Sequence, residues 1–259
     1  MIKSMTTSIA ERHQYILNKL REMGHVNVLK LSRELKVSTV TIRKDLKDLE
    51  ERKLLFRAHG GATPNNPYIN DRPVNEKEKI RVSQKQIIAL YASGMIEPKD
   101  SIIMASGTTI IELARQINAV DQLTVVTASL NVALILSRDP DIDIIQLGGM
   151  VRKSSSSIVG PYAEKMLENF SCSKLFLGVD GIDPDYGFTT TNSLEATLNQ
   201  QMIKAAQKVI VLADSTKFGR RGFSRICELQ DVDMIITDKE VKTTFIKRIE
   251  EKGIEIILN

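Results

Sequence analysis

Three short stretches near the start of the chain carry apolar residues at helical spacing. Residues 9–23 place Ile9, His13, Ile16, Leu17 and Leu20 on one face, and Gly24 follows as a natural stop. Residues 28–35 repeat the pattern with Val28, Leu31 and Leu35. Ser38 is a good N-cap for a third helix over 39–52, whose apolar face is Ile42, Leu46 and Leu49. A β-prone pair of runs over 54–61 then ends in a Gly60-Gly61 turn. Three amphipathic helices followed by a small hairpin have the layout of a winged helix-turn-helix.

From Asn75 onward the period changes. Continuous Val/Ile/Leu runs at 102–105, 123–127, 142–147, 174–179, 208–213, 234–237 and 254–258 predict strands. Helical patterns at 109–117, 131–137, 162–170, 193–206 and 241–252 lie between them. This alternation predicts an α/β unit built on a mostly parallel sheet. Between the two patterns, ATPNNPYINDRPVN at 62–75 holds three of the seven prolines and four asparagines. Such a stretch disfavours a helix and reads as a linker. The expected organisation is a first unit over 1–62, a linker over 63–75 and a second unit over 76–259.

Charge separates the same two units. The chain of 259 residues has a formal net charge of +4. Residues 1–61 hold 13 Lys/Arg against 7 Asp/Glu, a net of +6, and the rest is at −2. That asymmetry suggests a polyanion partner for the first unit. All three histidines, His13, His25 and His59, also lie there, which removes His-based triads and metal sites from the larger unit. No metal and no cofactor are expected. Cys172 and Cys227 form no CxxC pair, so no disulfide framework is expected, a reducing cytoplasm is the default, and both read as ordinary half-buried thiols. No secretory leader is expected. The longest uncharged run, 122–137, is broken by Thr, Ser and Asn, so no membrane span is expected.

The third helix carries the first candidate site. With Ile42, Leu46 and Leu49 turned inward, Thr39, Val40, Thr41, Arg43, Lys44 and Lys47 face solvent. Short hydroxyls and a methyl suit base edges, and Arg and Lys suit guanines and phosphates, as a recognition helix requires. An isolated basic pair would be an ordinary solvated face; the surrounding helix-turn-helix and wing argue for DNA.

The second candidate site lies in the loops beyond the carboxyl ends of the strands, where sheets of this kind bind ligands. Ser106, Gly107, Thr108 and Thr109 form a strand-to-helix turn whose free N–H groups and hydroxyls suit a phosphate, although such residues also serve as routine caps. Thr127 and Ser129 end the next strand, and Gly148 and Gly149 precede Arg152. Asp180, Gly181 and Asp183 form a fourth loop, and Lys217 lies in a fifth. Carboxylates for hydroxyls, a lysine and a glycine-hydroxyl cradle are the groups a sugar phosphate needs. Arg220-Arg221 could reach a phosphate but reads better as a solvated loop.

Residues 12–62 resemble the helix-turn-helix of the DeoR family of bacterial transcriptional regulators. The matching residues are Arg12, Ile16, Gly24, Val37-Ser38, Thr41-Ile42-Arg43, Asp45-Leu46, Leu49 and the wing run Arg57-Ala58-His59-Gly60-Gly61-Ala62. Lys44 and Lys53 depart from the Arg and Gly more usual in the family. Residues 76–259 are similar to the family's sensor domain, through SGTT and ELA (106–109, 112–114), SLNVA (129–133), LGG (147–149), FLGVDGID (176–183), Glu195-Ala196 and STKFG (215–219). The resemblance implies a ribose-5-phosphate isomerase-like fold for that domain. It also implies that residues 106–109 cradle a phosphate, that Asp180 and Asp183 hold hydroxyls, and that Lys217 closes the site. Ser38, Arg57 and His59 join the expected DNA contacts. Ala105 and Ala128 stand where the family usually has Asp and Asn, and each is expected to remove a polar contact from a ligand-facing loop.

Two functions fit these residues. A carboxylate pair with a lysine could support proton abstraction in a sugar-phosphate isomerase, with Glu195 as acid or base or as a hydroxyl ligand. The segment PDYGFTTTNSLEA after Asp183 lacks the lysine–glycine-rich run of those isomerases. Turnover would also erase the signal that an attached DNA-binding unit reports. The preferred expectation is a regulator without enzymatic activity, a repressor of a carbohydrate catabolic operon. It would bind operator DNA as a homodimer or higher homo-oligomer and answer to a phosphorylated sugar effector.

Overall fold

A computed structural model describes residues 8–52, 54–58, 60–63, 72–117 and 121–259. The chain divides into two compact units, Met1–Ile69 and Asn70–Asn259.

The first unit opens with helix α1 (Ile9–Met23), started by a capping box between Ser8 and Glu11 and stopped at Gly24 in the left-handed region. A two-residue strand β1 (Val26–Asn27) leads into α2 (Val28–Leu35), capped by the Asn27 side chain. Helix α3 (Thr39–Glu51) follows, capped by Ser38. Strands β2 (Phe56–Ala58) and β3 (Gly61–Thr63) complete an antiparallel sheet in the order β1-β3-β2. The core consists of most of the apolar faces expected from the periodicity, including Ile16, Leu20, Leu31, Ile42, Leu46 and Leu49, joined by Leu55 and Ala62, whereas Ile9 is exposed. One ion pair lies inside this core. The Arg12 guanidinium donates to Asp45 from Nε at 2.8 Å and from Nη2 at 2.9 Å, and His13 Nε2 is 3.3 Å from the same carboxylate. It fixes α1 against α3.

The second unit begins earlier than the sequence suggests. Helix α4 (Val74–Glu78) begins within the stretch read as linker and runs past its end, with Val74 buried in the core, and Thr63 at the other end belongs to β3. Pro64, Pro67 and the rest of 64–71 lie outside the described residues. Helix α5 (Val82–Ser93) comes next; its apolar residues lie all round rather than in a stripe, so periodicity gives no sign of it. Then follow β4 (Ser101–Met104), α6 (Thr108–Gln116), β5 (Leu123–Thr127), α7 (Leu130–Leu136), β6 (Ile142–Gln146), β7 (Met150–Arg152), β8 (Ser157–Val159) and α8 (Pro161–Leu167). The chain continues through β9 (Cys172–Gly178), β10 (Gly181–Asp183), β11 (Gly187–Thr190), α9 (Ser193–Lys204), β12 (Ala206–Leu212), β13 (Ser224–Cys227), β14 (Met234–Thr237), α10 (Thr243–Glu250) and β15 (Glu255–Leu258).

The seven strands expected from apolar runs form one seven-stranded sheet, with bounds shifted by at most two residues. Its order is β15-β14-β12-β9-β4-β5-β6, and every pairing is parallel. Alternate residues of a strand feed opposite cores: Ile103, Leu175 and Val211 pack with α8, α9 and α10, and Ile102, Phe176 and Leu212 with α5, α6 and α7. Both faces are therefore buried. The chain starts in the middle at β4, runs outward to β6, then returns beside β4 as β9 and runs outward the other way. The point of reversal lies between β4 and β9, and a crevice opens beyond the carboxyl ends of those two strands.

Candidate functional site

Helix α3 presents its polar face as the spacing requires. Ser38, Val40, Arg43, Lys44 and Lys47 are exposed, and Thr39 and Thr41 are half-buried. Val40 is 70% exposed, an apolar group on the first turn of a basic helix with no core to join. Ser38 Oγ accepts from the Thr41 N–H at 3.1 Å and lies 2.9 Å from Thr41 Oγ1, so part of the hydroxyl capacity is spent on capping. Arg43 and Lys44 have no ion-pair partner among the described residues, whereas Lys47 lies 3.8 Å from Glu51. Arg57 is exposed on β2, with Nη1 3.8 Å from Glu50. His59 lies outside the described residues.

In the second unit, a cleft lies at the reversal point of the sheet. Its lining includes Ser106, Gly107, Thr108 and Thr109 from the β4–α6 turn, Val179 and Asp180 after β9, Arg152, Glu195 and Lys217. The turn is made by glycine: Gly107, with φ of 130°, caps α6, and nine residues of helix follow. Gly178 closes the other wall, where a Cβ would lie 2.8 Å from Ser106 O, so the two strand ends approach as closely as they do only with glycine there.

Among the described residues, the cleft lining holds four cations, Arg72, Lys77, Arg152 and Lys217, against two carboxylates, Asp180 and Glu195. Lys77 Nζ donates to Asp180 Oδ1 at 3.0 Å, and Lys217 Nζ lies 3.9 Å from the same oxygen. Burial pushes the Asp180 carboxyl up, but the charges of Lys77 and Lys217 and the hydrogen bonds from Lys77 and Thr190 outweigh it and hold it below the usual carboxylate value. Arg152 Nη1 donates to Glu195 Oε1 at 3.1 Å, and Thr190 Oγ1 lies within hydrogen-bond reach of both Asp180 and Glu195. A net positive cleft with two oriented carboxylates, hydroxyls and a helix start can hold a phosphate at one end and hydroxyls at the other.

The structure does not bring every expected residue here. Thr127 and Ser129 are buried: Thr127 Oγ1 donates to Met104 O, and Ser129 caps α7. Gly148 and Gly149 border a separate groove with Tyr162 and Met166. Gly181 opens β10. Asp183 is fully buried, and its carboxylate accepts two hydrogen bonds from Arg221, at 2.7 and 3.0 Å. Arg221 is therefore no solvated loop residue; its guanidinium also stacks over Tyr186 at 4.7 Å. Ala105 and Ala128 do not face the cleft either. Both are buried in the apolar core beneath the sheet ends, where an Asp or Asn would need its own partners. The two cysteines are buried rather than half-buried.

Sequence reasoning missed Arg72, Val74, Lys77, Ser154, Ser155, Thr190 and Asn199 in the cleft wall. Thr190 and Asn199 lay in the segment around Glu195, and the serine run beside Arg152 was a visible signal. Arg72 and Lys77 had none: Arg72 falls in the proline-dense stretch read as linker, and Lys77 follows it in a segment that carries no motif.

A basic, exposed recognition helix in one unit and an anion-suited cleft in the other define a ligand-responsive DNA-binding regulator. Comparison with known proteins agrees. Residues 12–67 match the model of the DeoR-like helix-turn-helix domain, and residues 80–239 that of the DeoR C terminal sensor domain. A candidate aga operon transcriptional repressor of Escherichia coli O157:H7 is 36% identical over 97% of this chain and 94% of its own length. The uncharacterized HTH-type transcriptional regulator YulB of Bacillus subtilis is 35% identical over 96% of both chains. Among solved structures, a D-ribose-5-phosphate isomerase in complex with phospho-erythronic acid aligns with 53% of this chain and 54% of its own, at 19% identity and a TM-score of 0.40. The chain belongs to the DeoR family of transcriptional regulators. No helix among the described residues is long and apolar enough to cross a membrane.

Proposed function

We propose that this regulator is a cytoplasmic repressor of a carbohydrate catabolic operon and that it binds a phosphorylated sugar without turning it over. Its first unit meets operator DNA through Ser38, Thr39, Val40, Thr41, Arg43, Lys44 and Lys47, with Arg57 and His59 of the wing on the flanking backbone. Two copies at least are needed to place recognition helices on two half-sites, so the working form is a homodimer or larger. Residues 1–62 serve as the DNA-binding domain, and the sensing domain takes in α4 and so starts ahead of residue 76. The effector's phosphate lies against Ser106–Thr109 and Lys217, and its hydroxyls meet Asp180 and Glu195.

The observation that carries this reading is the cleft's charge: among the described residues, four cations line it against two carboxylates, at the sheet's reversal point, a positive surplus suited to a phosphate dianion. Repression of a sugar operon is supported by the name of the aga operon relative. Gel-shift binding to the DNA upstream of its own gene tests the whole reading. Binding at moderate salt, relieved or strengthened by one of ribose 5-phosphate, glucose 6-phosphate or fructose 1-phosphate, is the expected result. No DNA binding would overturn it, and steady turnover of a sugar phosphate would replace it with an isomerase.

A further inference from the structure

We propose that Arg72 and Lys77 are ligands for the effector's phosphate, and that Lys77 exchanges Asp180 for that phosphate when the cleft fills. The inference rests on the effector site above and assigns to it a stretch of chain that neither the sequence motifs nor the matched sensor-domain residues, 80–239, include.

Helix α4 has five residues and no side-chain cap, so it has little stability of its own and its position depends on what it touches. Both of its ends touch the cleft. At its start the Val74 N–H donates to Ser154 O at 2.7 Å, and Ser154 lines the cleft. Near its end Lys77 reaches Asp180. Beyond α4 the chain is tied down independently: Arg81 bonds Ser215, Asp238 and Glu240, and the buried Lys85 ammonium donates to Lys77 O at 2.5 Å and Ile80 O at 2.6 Å. The helix is thus anchored behind and responsive in front.

Beside Lys217, which is 3.9 Å from Asp180, this stretch carries the cationic capacity left for a ligand among the described residues. Arg72 is exposed, lines the cleft and has no partner among the described residues. Lys77 has three N–H donors and a single partner among the described residues, Asp180. Arg152, by contrast, is already held by Glu195 and Ser155. A dianion entering near residues 106–109 is repelled by Asp180 and attracted by the ammonium beside it. Lys77 turning to the dianion satisfies both, while Lys217 and Thr190 remain with Asp180, which is freed for a sugar hydroxyl. Because Lys77 is part of α4, the exchange shifts the segment that leads out of the linker.

Hydrogen–deuterium exchange on the full chain, with and without inorganic phosphate and the three sugar phosphates above, tests this. Wild type is expected to change exchange at residues 74–79 when phosphate binds. Lys77→Met should bind phosphate about 10-fold or more weakly by calorimetry and show no change at 74–79 at saturating phosphate, while Lys77→Arg restores most of both. Arg72→Ala should weaken phosphate binding with the change at 74–79 intact. Equal phosphate affinity in wild type and Lys77→Met, or an unchanged exchange response in that variant, would overturn the proposal. If phosphate and all three sugar phosphates leave the wild type without calorimetric heat, the effector site itself is refuted. If they bind and exchange at 74–79 does not respond, only the Lys77 exchange is refuted.

Discussion

The two units use positive charge in opposite ways. In the first, Arg43, Lys44 and Lys47 stand within two turns of one regular helix, exposed to water, with at most a distant carboxylate nearby. In the second, Lys77, Arg152 and Lys217 come from three separate segments, are largely withdrawn from water, and each faces a carboxylate already in place. The first arrangement suits a long polyanion met in many registers, where charges act additively and at a distance. The second suits one small anion, where a carboxylate that holds the cations apart also keeps them oriented and raises the selectivity for a ligand that can use both signs. The difference follows from dielectric: exposed charges are screened within about 8 Å at physiological salt, and half-buried pairs much less.

Salt should therefore separate the units most. Between 50 and 200 mM salt, operator affinity is expected to fall by about 1,000-fold or more for a dimer making six to ten phosphate contacts. Phosphate binding to the cleft, followed by calorimetry over the same range, should fall far less. A similar salt slope for both would break the comparison.

The buried Arg12–Asp45 pair is the place where the first unit departs from its own rule. Asp45→Ala leaves a buried guanidinium without its partner and should cost about 3–5 kcal/mol of stability in that unit. Urea unfolding should show the loss in one transition only, with phosphate binding to the cleft retained.

Lys217→Ala and Arg43→Ala form a reciprocal pair. Removing Lys217 should weaken effector binding by about 1.5–3 kcal/mol and leave effector-free operator affinity unchanged. Arg43→Ala should cost about 1–3 kcal/mol of operator affinity, measured by fluorescence anisotropy, with effector affinity unchanged. Crossed effects would show that the sites are not separately built.

The smallest expected effect concerns Lys85. Burial lowers its ammonium from the ordinary 10.5 to about 8. The folded protein thus releases this proton before the unfolded chain does, so between about pH 8 and 10.5 the unfolded chain binds more protons and stability rises with pH. Urea midpoints at pH 7.5 and 9.5 should show wild type gaining on Lys85→Met. No relative gain would mean the ammonium is as well solvated as a surface lysine.

The contrast between the units also explains what could be read from the sequence. A recognition helix is local: its buried and exposed faces follow from 3.6-residue periodicity, and α1, α2 and α3 start where expected. The central sheet was legible for a related reason, since strands buried on both faces read as unbroken apolar runs. The short antiparallel strands β7, β8, β10, β11 and β13 carry no such run. They exist because loops at the strand ends pair with one another, which is a tertiary fact. The cleft sits between these cases. Residues 106–109 and Asp180 were visible because strand-end loops are a known address, but Lys77 meets Asp180 across 103 residues of sequence, and no local pattern encodes that meeting. Asp183 shows the opposite: motif spacing groups it with the cleft residues, whereas in the fold its carboxylate is paired with the half-buried Arg221.

The reversal of strand order between β4 and β9 has a consequence for how such regulators diversify. The residues that line the cleft there come from turns and short elements at the strand ends, while the strands beneath them are fixed by two buried cores. Substitutions at these lining positions should therefore change the cleft's chemistry one position at a time, with the scaffold's stability left almost untouched. A core position such as Ala105 or Ala128 is under a different discipline, since any polar group there must find a buried partner in the same evolutionary step.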